Sequence, residues 1–346
     1  MSTNKVSIVI LNYNTKALLD QFLPGVLETN YTGFEVVVAD NASQDGSADL
    51  VRSKYPEVKL IQLDQNYGFA GGYNKALAQL NTPYWVLLNS DVEVDPNWLE
   101  PLMQKMESDN NIGAVQPKIL DYENRNMLEY AGASGGFIDK YAYPFCRGRI
   151  FNELEADNGQ YNEERKVFWA TGAALLVRAE YYTSLGGLDE DFFAHMEEID
   201  LCWRLKNAGK EVWVCPDAHV YHMGGGTLSS LSSRKTFLNF RNNLALITKN
   251  LPFGQWLRVF SVRLILDGIA GCKFLMDGKP SHTLAIVKAH WSFFIRFGFW
   301  WNKRKKAPAP ISFRNHDGMF DLSLIYQHYA KGVRHFSELD STDSLT

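Results

Sequence analysis

Val6-Ser7-Ile8-Val9-Ile10-Leu11-Asn12-Tyr13-Asn14-Thr15 decides the fold class. The first six residues are apolar at nearly every position and rich in β-branched side chains, as expected of a strand covered on both faces of a parallel sheet. The polar Asn12-Tyr13-Asn14 ends it. Thr15 is a candidate cap for a helix whose apolar residues Leu18, Leu19, Phe22 and Leu23 keep helical spacing. Phe34-Glu35-Val36-Val37-Val38-Ala39 is a second strand and completes a β-α-β unit. Val58–Leu63 and Tyr84–Leu88 repeat the pattern.

Each of these strands ends in polar residues, and the carboxyl ends of strands are where open α/β sheets bind ligands. After the second come Asp40-Asn41-Ala42-Ser43. An Asp there can accept from the imide N–H of uracil or thymine, while Ser43 is also a plausible cap for the next helix. After the third strand, Asn66-Tyr67-Gly68-Phe69-Ala70-Gly71-Gly72-Tyr73-Asn74 is glycine-rich. It suits close backbone approach to a diphosphate or tight helix-on-sheet packing, and it lacks both the GxGxxG spacing and a Walker lysine. After the fourth, Asn89-Ser90-Asp91-Val92-Glu93 offers a carboxylate for Mg²⁺ or Mn²⁺, hard cations that prefer oxygen and bridge a diphosphate. Asp95-Pro96 reads as a cap and first-turn proline for a helix bearing Trp98, Leu99, Leu102 and Met103.

The most acidic stretch is Ala194-His195-Met196-Glu197-Glu198-Ile199-Asp200-Leu201-Cys202-Trp203-Arg204. On a helix Glu197, Asp200 and Arg204 share a face and Glu198 points away from it. The group is either an ion-paired face or a site in which Glu198 projects into a cleft. Composition excludes little else. A net charge of −4 argues against a general nucleic-acid binder. Cys146, Cys202, Cys215 and Cys272 are too scattered for a zinc pattern and too few for a disulfide framework, so reduced thiols in the cytoplasm are expected. Met1–Lys5 is short and polar, without a secretory-leader pattern.

Taken in order, these elements resemble those of the inverting family-2 glycosyltransferases, with bacterial rhamnosyltransferase-like members nearest in pattern. Thr171-Gly172-Ala173, Gly186–Phe193, the acidic stretch and Tyr221-His222-Met223-Gly224-Gly225-Gly226-Thr227 extend the match to about Asn243. The resemblance implies a GT-A nucleotide-sugar fold, a Rossmann-like, mainly parallel sheet flanked by helices, with a C-terminal helical extension. It implies Asn12, Asp40, Asn41, Asn66, Gly71, Gly72, Asn74 and Asn89 as the donor site, Asp91 and His222 as ligands of Mg²⁺ or Mn²⁺, and Glu198 as the catalytic base, with Glu197, Asp200 and Arg204 supporting it. Two departures are Asn89, where the family often has Asp, and Glu198, one methylene longer than the usual Asp. Both motivate an alternative reading as a degenerate nucleotide-binding or scaffolding protein. A sugar nucleotidyltransferase is a further alternative, but Asn12–Lys16 supplies no glycine-rich loop with Arg and Lys. The implied reaction is inverting transfer of rhamnose or a hexose from a dTDP- or UDP-sugar to a saccharide or lipid-linked saccharide in cell-surface polysaccharide synthesis. The chain shows neither the several spanning helices nor the Gln-x-x-Arg-Trp motif of processive synthases. Trp169 and Trp203 are candidate walls for sugar rings.

The expected division is a catalytic domain over 1–245, with a nucleotide half to 120 and an acceptor half after it, then a helical region over 246–336 and a disordered tail over 337–346. The helical region carries aromatic, amphipathic segments around Trp256 and over Trp291–Trp301, running into Asn302-Lys303-Arg304-Lys305-Lys306. It is expected either to lie on the inner face of the cell membrane or to pack against the catalytic domain or a second copy. No apolar run reaches the roughly 20 residues of a spanning helix.

Overall fold

The computed structural model describes residues 5–224 and 232–339. It opens with β1 (Val6–Asn12), α1 (Lys16–Leu27), β2 (Phe34–Asp40), α2 (Ser47–Lys54), β3 (Lys59–Gln62), α3 (Gly68–Leu77) and β4 (Tyr84–Asn89). The strands run parallel in the order β3-β2-β1-β4, with Asn12 beside Asp40 and Leu11 beside Asn89. Every strand expected from the sequence is present, each end within one residue.

The chain continues through β5 (Val92–Val94), α4 (Leu99–Ser108) and β6 (Ile112–Asp121) into a small second sheet. That sheet contains β7 (Gly136–Asp139), β8 (Pro144–Cys146), β9 (Arg149–Ile150) and β10 (Glu153–Leu154). It returns through β11 (Arg165–Lys166), β12 (Ala174–Arg178), α5 (Ala179–Ser184), α6 (Glu197–Asn207) and β13 (Glu211–His222). β12 runs antiparallel between β4 and β6, and β13 lies parallel to β6.

Alternate strand residues divide the core. Ile8, Ile10, Val36, Val38, Val86 and Leu88 face Leu19, Leu23, Leu102 and Met103 on one side. Val9, Val37, Ala39 and Leu87 face Ala70, Tyr73, Leu205 and Leu244 on the other. That two-sided burial is why these strands read as continuous apolar runs.

Three expected caps are corrected. Thr15 precedes α1, but its hydroxyl donates to Asn12 Oδ1 at 2.6 Å and caps nothing. Ser43 lies four residues before α2 and bonds the Asn12 amide, while Asp45 Oδ1 accepts from Ser47 N at 3.0 Å. Asp95 accepts from Asn97 N at 2.9 Å, and α4 begins only at Leu99, so Pro96 is not its first residue.

The C-terminal part is α7 (Ser233–Asn250), α8 (Phe253–Met276), α9 (Pro280–Ile295), α10 (Phe297–Arg304), β14 (Met319–Phe320) and α11 (Leu324–Tyr329). The boundary expected at 245 falls inside α7, and the region is not purely helical, because β14 pairs with β7 and completes the second sheet. Phe320 and Phe336 pack against Phe137 and Phe145, each such burial contributing on the order of 1.5–3 kcal/mol. The disordered tail expected from 337 is corrected for 337–339. A 3₁₀ turn covers Phe336–Glu338, Leu339 is buried, and Phe336 N donates to Glu155 Oε1 at 2.7 Å. Residues 340–346 lie outside the described residues.

Candidate active site

At the carboxyl edge of the parallel strands, Asn12 and Asp40 are buried side by side. Asn12 Nδ2 donates to Asp40 Oδ1 at 3.1 Å, and Ser43 N donates to Asp40 Oδ2 at 3.1 Å. The carboxylate is therefore fixed while each oxygen retains acceptor capacity. The neighbouring amides are used differently. Asn41 Nδ2 donates to Asn66 Oδ1 and the Gly68 carbonyl, and its Oδ1 accepts from Tyr67 N. Asn74 donates to the Leu188 carbonyl and Glu190, and accepts from Tyr182 Oη and Leu188 N. Asn41, Asn66 and Asn74 thus tie turns together. Gly71 and Gly72 are likewise buried within α3. A Cβ on Gly72 would lie 2.7 Å from Leu11 Cδ1 and 3.0 Å from Asn41 Nδ2, so its reason is helix-on-sheet packing. The first amides of α3 are also taken, Gly68 N by Asn66 Oδ1 and Phe69 N by the Phe193 carbonyl.

Asn89 ends β4, and Asp91 follows two residues later. His222, at the end of β13, sits with Nε2 3.2 Å from Asp91 Oδ1 and Nδ1 3.3 Å from Glu129 Oε2, all three buried. Asn89 Nδ2 is 3.5 Å from the same Nε2. Burial alone would disfavour the imidazolium, but hydrogen bonding to Asp91 and Glu129 outweighs it and pushes the ring up to about 10. The donor set fits a divalent cation. An oxygen and a nitrogen 3.2 Å apart have the spacing of adjacent ligands at roughly 2.1–2.3 Å from one ion, and a carboxylate on the other ring nitrogen is the usual partner of a ligating histidine. Among the described residues no cluster of three or more His, Cys, Asp or Glu side chains is placed to hold a metal ion, so diphosphate and water would complete the shell. Glu129 is invisible to sequence reasoning, since it stands in no motif. Of the glycine run after His222, Gly225–Thr227 lies outside the described residues.

The acidic stretch separates into two environments. Asp200 is fully buried and accepts from Arg204 Nε at 2.8 Å, Lys249 Nζ at 2.9 Å and Asn250 Nδ2 at 2.9 Å. Burial opposes its charge, but Lys249 and Arg204 outweigh that and hold the carboxyl well below the usual range. Glu197, expected to share this face, pairs with neither cation among the described contacts. It is buried with Oε2 unpartnered, and burial followed by the charge of Glu198 pushes its pKa well up. Glu198 is half-buried beside Gly172, its Oε2 also unpartnered, and burial raises its pKa to about 7. Adjacent like charges share one proton. Both carboxyls are pushed up from the ordinary glutamate range, Glu197 by burial and by the charge of Glu198, Glu198 by burial.

The loop delivering Glu198 is strained. Phe193, His195 and Met196 have φ of 67°, 68° and 76°, each costing about 1–3 kcal/mol unless the surroundings impose it. Asn242 on α7 imposes it. Its Nδ2 donates to the carbonyls of Phe192, Ala194 and His195 at 2.8–3.0 Å, while Arg241 donates to the carbonyls of Asp191 and Phe192. Asn242→Ala is expected to lower kcat by about 100-fold, the scale of a 1 Å misplacement, with little change in KM. Steady-state kinetics alongside amide exchange over 193–197 would check it, and unchanged kcat would refute the positioning role.

Known proteins resemble the chain in sequence and in fold. Residues 7–172 fit the model of Glycosyl transferase family 2. Over that stretch the chain is similar to the family-2 glycosyltransferases. N-acetylglucosaminyl-diphospho-decaprenol L-rhamnosyltransferase of Mycobacterium tuberculosis is 28% identical over 234 residues, covering 64% of this chain and 76% of that protein. Among solved structures, GalNAc-T7 with UDP, GalNAc and Mn²⁺ aligns with a TM-score of 0.57 at 16% identity, over 72% of this chain and 49% of that one. Mannosyltransferase PcManGT of Pyrobaculum calidifontis, with GDP-Man and Mn²⁺, aligns at 0.52 and 16% identity, over 87% and 84%. The architecture is the GT-A fold with a helical C-terminal region.

The tryptophans expected as sugar platforms are core residues. Trp203 is fully buried and stacked on Phe313. Trp169 is buried, donates Nε1 to the Phe137 carbonyl at 2.9 Å, and packs under Gly136.

Proposed function

We propose that the chain is a non-processive, inverting, metal-dependent glycosyltransferase that moves rhamnose or a hexose from a dTDP- or UDP-sugar to a saccharide or lipid-linked saccharide acceptor in cell-surface polysaccharide synthesis. One observation carries this reading. Glu198 is a half-buried carboxylate with an unpartnered oxygen and a pKa raised to about 7, held at a helix start by a strained loop. A general base works best with its pKa near the operating pH.

Asp40, oriented by Asn12 and Ser43 N, accepts the imide N–H of the base, which favours uridine or thymidine donors. Asp91 and His222, with Glu129 behind the ring, would hold Mg²⁺ or Mn²⁺. When bound, the ion supplies Lewis-acid stabilisation of the departing diphosphate. Glu198 takes the proton of the acceptor hydroxyl as that oxygen attacks the anomeric carbon from the face opposite the leaving group, so configuration inverts. Asp200 and Arg204 hold α6, and Asn242 holds the loop that aims Glu198.

Incubation with dTDP-rhamnose, UDP-hexoses and GDP-mannose, each with and without chelator, tests the reading. Turnover is expected for a thymidine or uridine donor, lost with chelator and restored by Mn²⁺ or Mg²⁺. Exclusive use of the guanosine donor would overturn the Asp40 assignment. Nucleotide binding without turnover would favour the degenerate-site alternative.

A further inference from the structure

The antiparallel helices α8 and α9 are apolar on two sides. In α9, Ala285, Ile286, Ala289 and Phe293 are buried, whereas Leu284, Val287, Trp291, Phe294 and Ile295 are 48–70% exposed. Their spacing of i, i+3, i+7, i+10 and i+11 forms one outward stripe. In α8, Leu257, Ile265, Ile269 and Met276 are 55–86% exposed and lie on the side away from buried Trp256, Val259 and Phe260. Contiguous exposed apolar surface on this scale marks an interaction face.

Charge identifies the partner. Residues 253–306 carry ten Lys and Arg against two Asp and Glu, a net of +8 in a chain whose total is −4. One of the two acids, Asp267, is buried against Arg263 and His290, and the other, Asp277, pairs with Lys273. Exposed Arg258, Lys279, Lys288, Lys305 and Lys306 therefore face solvent without acidic neighbours on these helices. A second copy docked by twofold symmetry would set this positive face against itself. An anionic lipid surface complements it, each basic side chain near the surface favouring binding roughly fivefold, and aromatic and aliphatic side chains enter the interface. Among the described residues no helix is long and apolar enough to cross a membrane, so the helices would lie along it.

We infer that the outer face of α8 and α9 is a docking surface for an anionic bilayer. The active-site loop is fastened to the same unit, since Arg296 bonds Asp191 at 2.9 Å and Lys303 bonds Asp189 and Asp191. The inference stands whichever donor or acceptor the enzyme uses.

Flotation of the full chain with phosphatidylcholine vesicles, with or without added phosphatidylglycerol, tests it. Binding to the anionic vesicles is expected to exceed binding to neutral ones by about tenfold or more and to fall with added salt. The double substitution Trp291→Glu with Ile295→Glu should reduce it by about tenfold or more while leaving the thermal unfolding midpoint unchanged, because both side chains are exposed. No binding, equal binding to both vesicle types, or a dimer in sedimentation velocity that the double substitution dissociates would each overturn the inference.

Discussion

Glu198→Gln is expected to lower kcat by roughly 10²–10⁴-fold, the range for loss of a positioned base, with nucleotide affinity unchanged. The amide keeps the shape of the side chain and cannot accept the acceptor's proton. The pH dependence sharpens the test. Burial raises the Glu198 carboxyl to about 7, so below that pH the base is protonated and idle, and kcat/KM of the native enzyme should climb to a plateau above it. The residual rate of the Gln variant should lose this limb. Glu198→Asp reports on reach, because it keeps the carboxylate and withdraws it by one methylene. Kinetics across the pH range around 7 for the three proteins would decide the assignment. A Gln variant with native rate and an intact acidic limb would move the base to Glu197.

Asp200→Ala is expected to destabilise the fold by about 3–5 kcal/mol, the cost of removing one partner from a buried ion pair. The substitution strands two buried cations, since Arg204 and Lys249 both end on Asp200 and are at most 5% exposed along their side chains. Lys249 also bonds Asp189 at 2.5 Å, which retains part of the network. The folded carboxyl titrates below its ordinary value of 3.8, so its contribution is complete above that value and is lost as pH falls through the lowered one. Urea unfolding at neutral pH and again in acid would show the difference between native and variant shrinking in acid. A loss below about 1 kcal/mol at neutral pH, the scale of an ordinary surface substitution, would contradict the network.

Much of the fold can be read along the chain because its signals are local. The apolar runs ending at Asn12, Asp40 and Asn89 report burial on both faces, and their polar ends report the open edge of the sheet. The caps at Ser43 and Asp95 are misread because a hydroxyl or carboxylate near a helix start has several acceptable partners, and Asn12 Nδ2 and Asn97 N win here. The C-terminal boundary is misread because the apolar pattern of α7 continues across 245.

For the candidate site the sequence supplies residue types and leaves their pairing open. Asn74 stands where a donor contact is plausible, yet its amide bonds Leu188 and Glu190, more than 100 residues away in sequence. Glu129, behind His222, belongs to no local pattern, and Asn242 shows itself only as part of a polar run in an otherwise amphipathic helix.

The amino-acid sequence by itself determines the parallel strands, the positions of Asp40 and Asp91 at their ends, and three carboxylates in the first turn of α6, because periodicity and turn chemistry act within a few residues. Only the tertiary structure decides the surroundings of each carboxylate. Lys249, 49 residues further on, pairs with Asp200, burial pushes the Glu197 carboxyl up, and Asn242 fastens the loop that leads into Glu198. A hydrogen bond or ion pair is allotted by distance in space, which spacing along the chain does not encode.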